Sequence, residues 1–123
     1  MPTAPNYDPD FTVDLNNPVI SRRVTLQEKL ETLLGSKNVY FQPPKNTMLQ
    51  YPAIIYNRSP MFRLRADDQT YLLVGHYSVT FISPDVEECM EMMTKLLDEF
   101  QNISVERSFV SDNLNHDVYN LYF

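Results

Sequence analysis

The densest gathering of chemistry-bearing side chains is Asp112-Asn113-Leu114-Asn115-His116-Asp117, with two carboxylates, two amides and an imidazole in six positions. A calcium loop would require a glycine at its turn and a bidentate acid at a fixed later spacing, and neither is present. A zinc site would require three or four nitrogen or sulfur ligands. The chain has two histidines, His76 and His116, far apart in sequence, and a single cysteine, Cys89. No metal is therefore expected. The stretch reads as a polar hairpin turn whose Asp and Asn side chains bond their own backbone.

Nucleophilic chemistry fares no better. No Gly-x-Ser-x-Gly elbow occurs, and Cys89 lies among Glu87, Glu88 and Glu91, whose charge raises a thiol pKa and lowers its reactivity. His76, midway along an apolar-polar alternation, reads as a satisfied or interface residue. The paired carboxylates between Asp85 and Glu99 read as a charged helix face, and Met90, Met92 and Met93 as core filler or an adaptable contact surface. Phosphate-binding and dinucleotide motifs are absent, as only two glycines occur in the whole chain. Neither a catalytic residue nor a cofactor is expected, and the chain reads as a protein that is not an enzyme.

Length and composition bound what must hold these residues. At 123 residues with 43% hydrophobic and 12% aromatic side chains, the chain has enough apolar matter for one folded domain and too little length for two. One cysteine excludes an internal disulfide, and no apolar run approaches the ~20 residues that would span a bilayer. The first ten residues have neither a basic start nor an apolar core, so no signal peptide is expected and a reducing cytoplasm is the natural compartment. Charge is lopsided. Residues 1–60 carry six basic and five acidic residues, net +1, whereas 61–123 carry four basic and eleven acidic, net −7. The overall −6 argues against broad binding of a phosphate backbone.

The elements are legible in order. Residues 1–23, with Pro2, Pro5, Pro9 and Pro18, read as an extended N-terminal arm, either a loose tail or an arm lying on a neighbouring subunit with Tyr7 and Phe11 as anchors. Thr25 and Glu28 form a capping box for a helix over about 25–34, with the stripe Leu26, Leu30, Leu33, Leu34 and a stop at Gly35. Short strands follow at 39–41 and 53–56. Residues 57–69, with Arg58, Arg63, Arg65, Asp67 and Asp68, read as a long loop suited to function. Residues 71–83 make the best strand, where Gly75 suggests a bulge or a close backbone approach. A second helix starts with Ser83 as N-cap and Pro84 next, and Val86, Met90, Met93, Leu97 and Phe100 form its apolar stripe. Two strands, about 104–110 and 117–123, close the chain around a turn at 111–115. The order α-β-β-β-α-β-β predicts an α+β domain over 24–123, an antiparallel or mixed sheet of about five strands with both helices on one face.

Residues 35–44 (Gly-Ser-Lys-Asn-Val-Tyr-Phe-Gln-Pro-Pro), 51–56 (Tyr-Pro-Ala-Ile-Ile-Tyr), Tyr71-Leu72, 76–80 and above all 111–123 resemble a group of small phage proteins placed among tail-terminator and tail-completion genes of the head–tail neck. The resemblance spans about residues 25–123, with the 57–70 segment and second helix less alike. It implies a structural virion protein forming a ring, typically a hexamer, that joins the tail tube to the head-side connector. DNA would pass through without specific binding, and no membrane is involved. Within that reading the ring contacts fall to the arm, to the loop with Arg58, Arg63 and Arg65, and to the strand with Tyr119, Tyr122 and Phe123. The acids Asp67, Asp68, Glu87, Glu88 and Glu91 would either line a lumen that repels DNA or form an ordinary solvated face. Another neck role, as head-closure protein or sheath/tube adaptor, and a soluble host-directed binding module are the alternatives.

Overall fold

The computed structural model describes residues 16–67 and 70–123, with side-chain surroundings defined for 16–59 and 74–123. The first element, α1 (Pro18–Leu34), starts seven residues earlier than its capping box suggests. Asn17 is the N-cap: its side-chain oxygen accepts from the amides of Val19 at 2.9 Å and Ile20 at 3.2 Å. Pro18 occupies the first helical position, where a missing N–H costs nothing. Thr25 is thus no cap. Its hydroxyl donates to the carbonyl of Ser21 inside the helix, at 3.0 Å. The segment expected to be extended through residue 23 is helical from 18. Its apolar period is hidden because arginines, not leucines, make its contacts: Arg22 lies over the Phe123 ring at 4.6 Å and Arg23 over Phe41 at 5.2 Å. The far end matches expectation, with Gly35 at φ 81° and its amide donating to the Glu31 carbonyl.

Five strands form one mixed sheet in the order β1-β2-β3-β5-β4: β1 (Val39–Phe41), β2 (Ala53–Asp67), β3 (Thr70–Ser83), β4 (Ile103–Ser111) and β5 (Leu114–Tyr122). β1 runs parallel to β2, and all other pairs are antiparallel. The second helix, α2 (Val86–Glu99), falls between β3 and β4. This is the α+β architecture and the element order expected. Alternation along the strands puts Ile54, Tyr56, Tyr77, Val79, Phe81, Tyr119 and Leu121 on one face, where they join Leu26 and Leu30 of α1 and Cys89, Met92 and Leu96 of α2 in one core. Leu33 and Leu34 pack against its margin, so the α1 stripe is as the sequence reads.

The sheet and α2 depart from expectation in four places. Residues 57–67 are not loop: β2 continues through them, paired with β3 from Asn57↔Ser78 to Asp67↔Thr70. A register shift between Arg58 and Phe62 absorbs Pro60, which reads as a strand breaker in sequence but is tolerated at a bulge. Of the bulge or close backbone approach expected at Gly75, the bulge lies on the opposite strand. In α2 the N-cap is Asp85 rather than Ser83, its Oδ1 accepting from the Glu87 amide at 3.0 Å. Ser83 is instead fully buried at the end of β3. Of the expected stripe, Phe100 is buried and Met93 packs against the core, but the helix is otherwise turned by about one residue, ~100°: Cys89, Met92 and Leu96 are buried, whereas Val86, Met90 and Leu97 are 52%, 63% and 46% exposed. Met and Leu occupy both rows, so apolar periodicity alone could not choose between them.

The last hairpin is tighter than the expected 111–115 turn. Asp112 at φ 53° and Asn113 at φ 62° form a two-residue loop with both φ positive, a conformation that Asp and Asn tolerate better than most residues.

Candidate assembly surfaces

The first surface is a ribbon. β3 pairs with β5 from His76 to Ser83, and Gly75 adds one more pair, exchanging two 2.9 Å backbone hydrogen bonds with Phe123. β1 reaches only Tyr56 of β2. Beyond these points, among the described residues, β2 and β3 pair only with each other, through Arg63↔Val74 to Asp67↔Thr70. Five residue steps separate Gly75 from Thr70, so the ribbon projects about 17 Å past the sheet. Arg58 is the last pair before the bulge, facing Tyr77, and its amide donates to the Gln42 side chain at 3.0 Å. Arg63 and Arg65 occupy register positions opposite Val74 and Leu72, and Asp67 ends β2.

The second surface is a groove between α2 and the edge strand β4. Val86, Met90 and Met93 of the helix face Ser108, Val110 and Asp117 of the sheet across a cavity of about 310 Å³. Val110 is 68% exposed, and Val105, at the same face further along β4, is also exposed. Leu97 extends the row along α2. The outer turns of α2 carry the exposed acids Glu87, Glu91 and Asp98. A bulge at Glu106 interrupts the open edge of β4, a device that discourages indiscriminate strand pairing.

The remaining residues singled out in the sequence are scattered. Tyr119 belongs to no surface: it is fully buried in the core. Tyr122 is exposed and stacks on His76 with ring centroids 4.5 Å apart, and His76 Nε2 meets Asn120 Oδ1 at 3.1 Å. Phe123 is half-buried, edge-on to Phe100 at 5.9 Å and beneath Arg22. Glu88 is not a free acid on the helix face, because its carboxylate accepts the Ser83 hydroxyl. Glu87 and Glu91 are exposed, as expected of the helix's charged face. Tyr7, Phe11 and Asp68 lie outside the described residues. What sequence reasoning missed is the groove itself, since its apolar row was assigned to the core. Its only sequence signal is that α2 carries more apolar residues than one buried stripe can use.

The buried thiol and phenols are held neutral. Burial pushes the Cys89 thiol up to about 11, and the carboxylates of Asp117, Glu88 and Asp85 add to the effect. Burial likewise pushes Tyr56 up to about 12, against the opposing pull of Arg23, while its hydroxyl donates to Gln27 Oε1 at 2.5 Å. Tyr119 is raised further, again by burial first and Asp117 second. Among the described residues no three His, Cys, Asp or Glu side chains gather to hold a metal, and no helix is long and apolar enough to cross a membrane. Comparisons with protein-family models, curated proteins and solved structures found no match.

Proposed function

We propose that this chain is a structural virion protein of a tailed phage, made in the host cytoplasm, that assembles with copies of itself into a ring at the neck. As a tail terminator or tail-completion protein, it would join the tail tube to the head-side connector. One observation carries the assembly reading: Val86, Met90 and Leu97 lie open on α2, alongside the open Val105 and Val110 of an edge strand. Fully covering a side chain of this kind is worth about 1.5–3 kcal/mol, and a neighbouring subunit supplies that cover. The neck assignment is supported by the resemblance of residues 35–44 and 111–123, and a net charge of −6 suits a ring that DNA crosses without sticking. Negative-stain electron microscopy of the purified chain, alone and with tail-tube protein, tests it. Rings with a central opening that cap tube ends are expected. Particles that never exceed single-chain size and leave tube ends bare would contradict it.

A further inference from the structure

We propose that two copies of the chain pair through β4, antiparallel about a two-fold axis between Glu106 and Arg107, joining their sheets edge to edge. The inference rests on the assembly reading of the open α2 and β4 surfaces and names what covers them. A two-fold contact closes at two copies, so the pair is the form of the chain free in solution, before any ring.

The backbone of β4, which ends the sheet, sets the register. Gly75 and Phe123 exchange both backbone hydrogen bonds, so the odd-numbered residues of β5 aim their amides and carbonyls at β3. The even-numbered ones aim at β4, as Tyr122 does in donating to the Asn102 carbonyl at 2.9 Å. Their partners Ser104, Arg107, Phe109 and Ser111 therefore point inward. Ile103, Val105, Ser108 and Val110 are left with backbone groups aimed away from the sheet. The bulge at Glu106 makes this set symmetric about the peptide between Glu106 and Arg107. Laid antiparallel on itself, β4 sets Val105 against Ser108 of the second copy and Ile103 against its Val110. Every outward group then finds a partner, and no other antiparallel register of the strand on itself uses all four residues.

Charge selects the same register independently. Glu106 falls opposite Arg107 of the second copy, whereas a centre on either residue would oppose like charges. Within one chain the two side chains are exposed and approach only to 3.8 Å. The apolar surfaces also fall on the seam. Ile103 and Val105 pair with Leu121 and Tyr119 of the core, so the outward residues of β4 put their side chains on the helix-covered face. On α2 the row nearest β4 is Val86, Met90 and Met93, continued at Leu97, and it carries no charge. Glu99 lies on the opposite flank, where it meets Lys29 of α1 at 3.0 Å. In the pair both α2 helices lie on the same face of one continuous sheet, and the two grooves merge into a single apolar trough.

Residues 1–15 are the competing occupant of the edge. Pro2, Pro5 and Pro9 interrupt the row of amides that a strand needs, and the segment has no Lys or Arg to set against Glu106.

Light scattering after size-exclusion chromatography reads the mass of the full chain, with circular dichroism checking the fold of each variant. Wild type is expected at twice the 14.4 kDa chain mass. Ser108→Pro removes an outward amide that no strand of the described sheet uses, so the fold should persist while pairing weakens about 10-fold or more. Glu106→Arg and Arg107→Glu each set like charges opposite one another and are each expected to weaken pairing about 10-fold. The double variant Glu106→Arg/Arg107→Glu exchanges the charges and is expected to restore pairing, as is mixing the two single variants. A pair unaffected by Ser108→Pro, a double variant that stays dissociated, or loss of pairing on deleting residues 1–15 would overturn the β4 seam and leave the assembly reading standing. A wild-type chain that is monomeric throughout would remove both. A pair that responds as expected beside bare tube ends would uphold the seam and overturn only the neck assignment.

Discussion

Gly75 and Phe123 exchange two backbone hydrogen bonds of 2.9 Å, and this pair marks where a five-stranded sheet becomes a two-stranded ribbon. Phe123 also sets its ring edge-on to Phe100 and beneath the Arg22 guanidinium, which ties α1, the end of α2 and the root of the ribbon together. Replacing Phe123 with Ala removes both ring contacts from a half-buried site. It should cost about 2 kcal/mol, below the 3–5 kcal/mol of a fully buried phenylalanine, as a lower urea midpoint with unchanged slope. A midpoint equal to wild type would show that the ring does not brace this junction.

The start of α1 separates two caps. Asn17→Ala removes the acceptor for the Val19 and Ile20 amides and should cost about 1 kcal/mol. Thr25→Ala removes only a hydroxyl bonded one turn back within the helix, and should be near neutral. Thermal unfolding of the two variants checks this, and the opposite order would put the helix start at Thr25.

Much of the fold was legible because helix stops, strand alternation and turn residues are local signals. Gly35, the 71–83 alternation and the leucines of α1 all behave as their types dictate. Three misreadings have other causes. The first turns of α1 use Arg22 and Arg23 as ring-stacking groups, which an apolar count overlooks. Pro60 conceals a strand because a bulge accommodates it. In α2 two apolar rows compete, and only the tertiary packing of Cys89, Met92 and Leu96 decides which turns inward. The last misreading is also why the groove was illegible: Val86, Met90 and Leu97 look like core until Cys89, Met92 and Leu96 are seen to fill it.

Alkaline pH should unfold this protein through its buried phenol and thiol. Tyr56 and Cys89 have folded-state pKa values raised above their unfolded values of 10.0 and 9.0. Between unfolded and folded values the native state holds more protons, so stability falls as pH rises. Their contribution is complete below about pH 9 and is lost progressively through pH 11 to 12. Urea midpoints from pH 7 to 11 should stay level at first and then decline. The same burial keeps Cys89 unreactive, so a thiol reagent at pH 7 should label it only as the chain unfolds.

Two buried tyrosines should respond differently to loss of a hydroxyl. Tyr56→Phe breaks the bond to Gln27 and should cost about 1 kcal/mol. The Tyr119 hydroxyl is fully buried with no hydrogen-bond partner among the described residues. Tyr119→Phe should therefore leave stability unchanged or raise it. Denaturant titration decides, and a loss for Tyr119→Phe as large as for Tyr56→Phe would show that its hydroxyl is satisfied.

The central claim is that the chain acts by assembling with itself, and its mass in solution tests that most directly. Light scattering on the wild-type protein at micromolar concentration should give a fixed multiple of the 14.4 kDa chain mass. A mass of one chain across the whole accessible concentration range would contradict it.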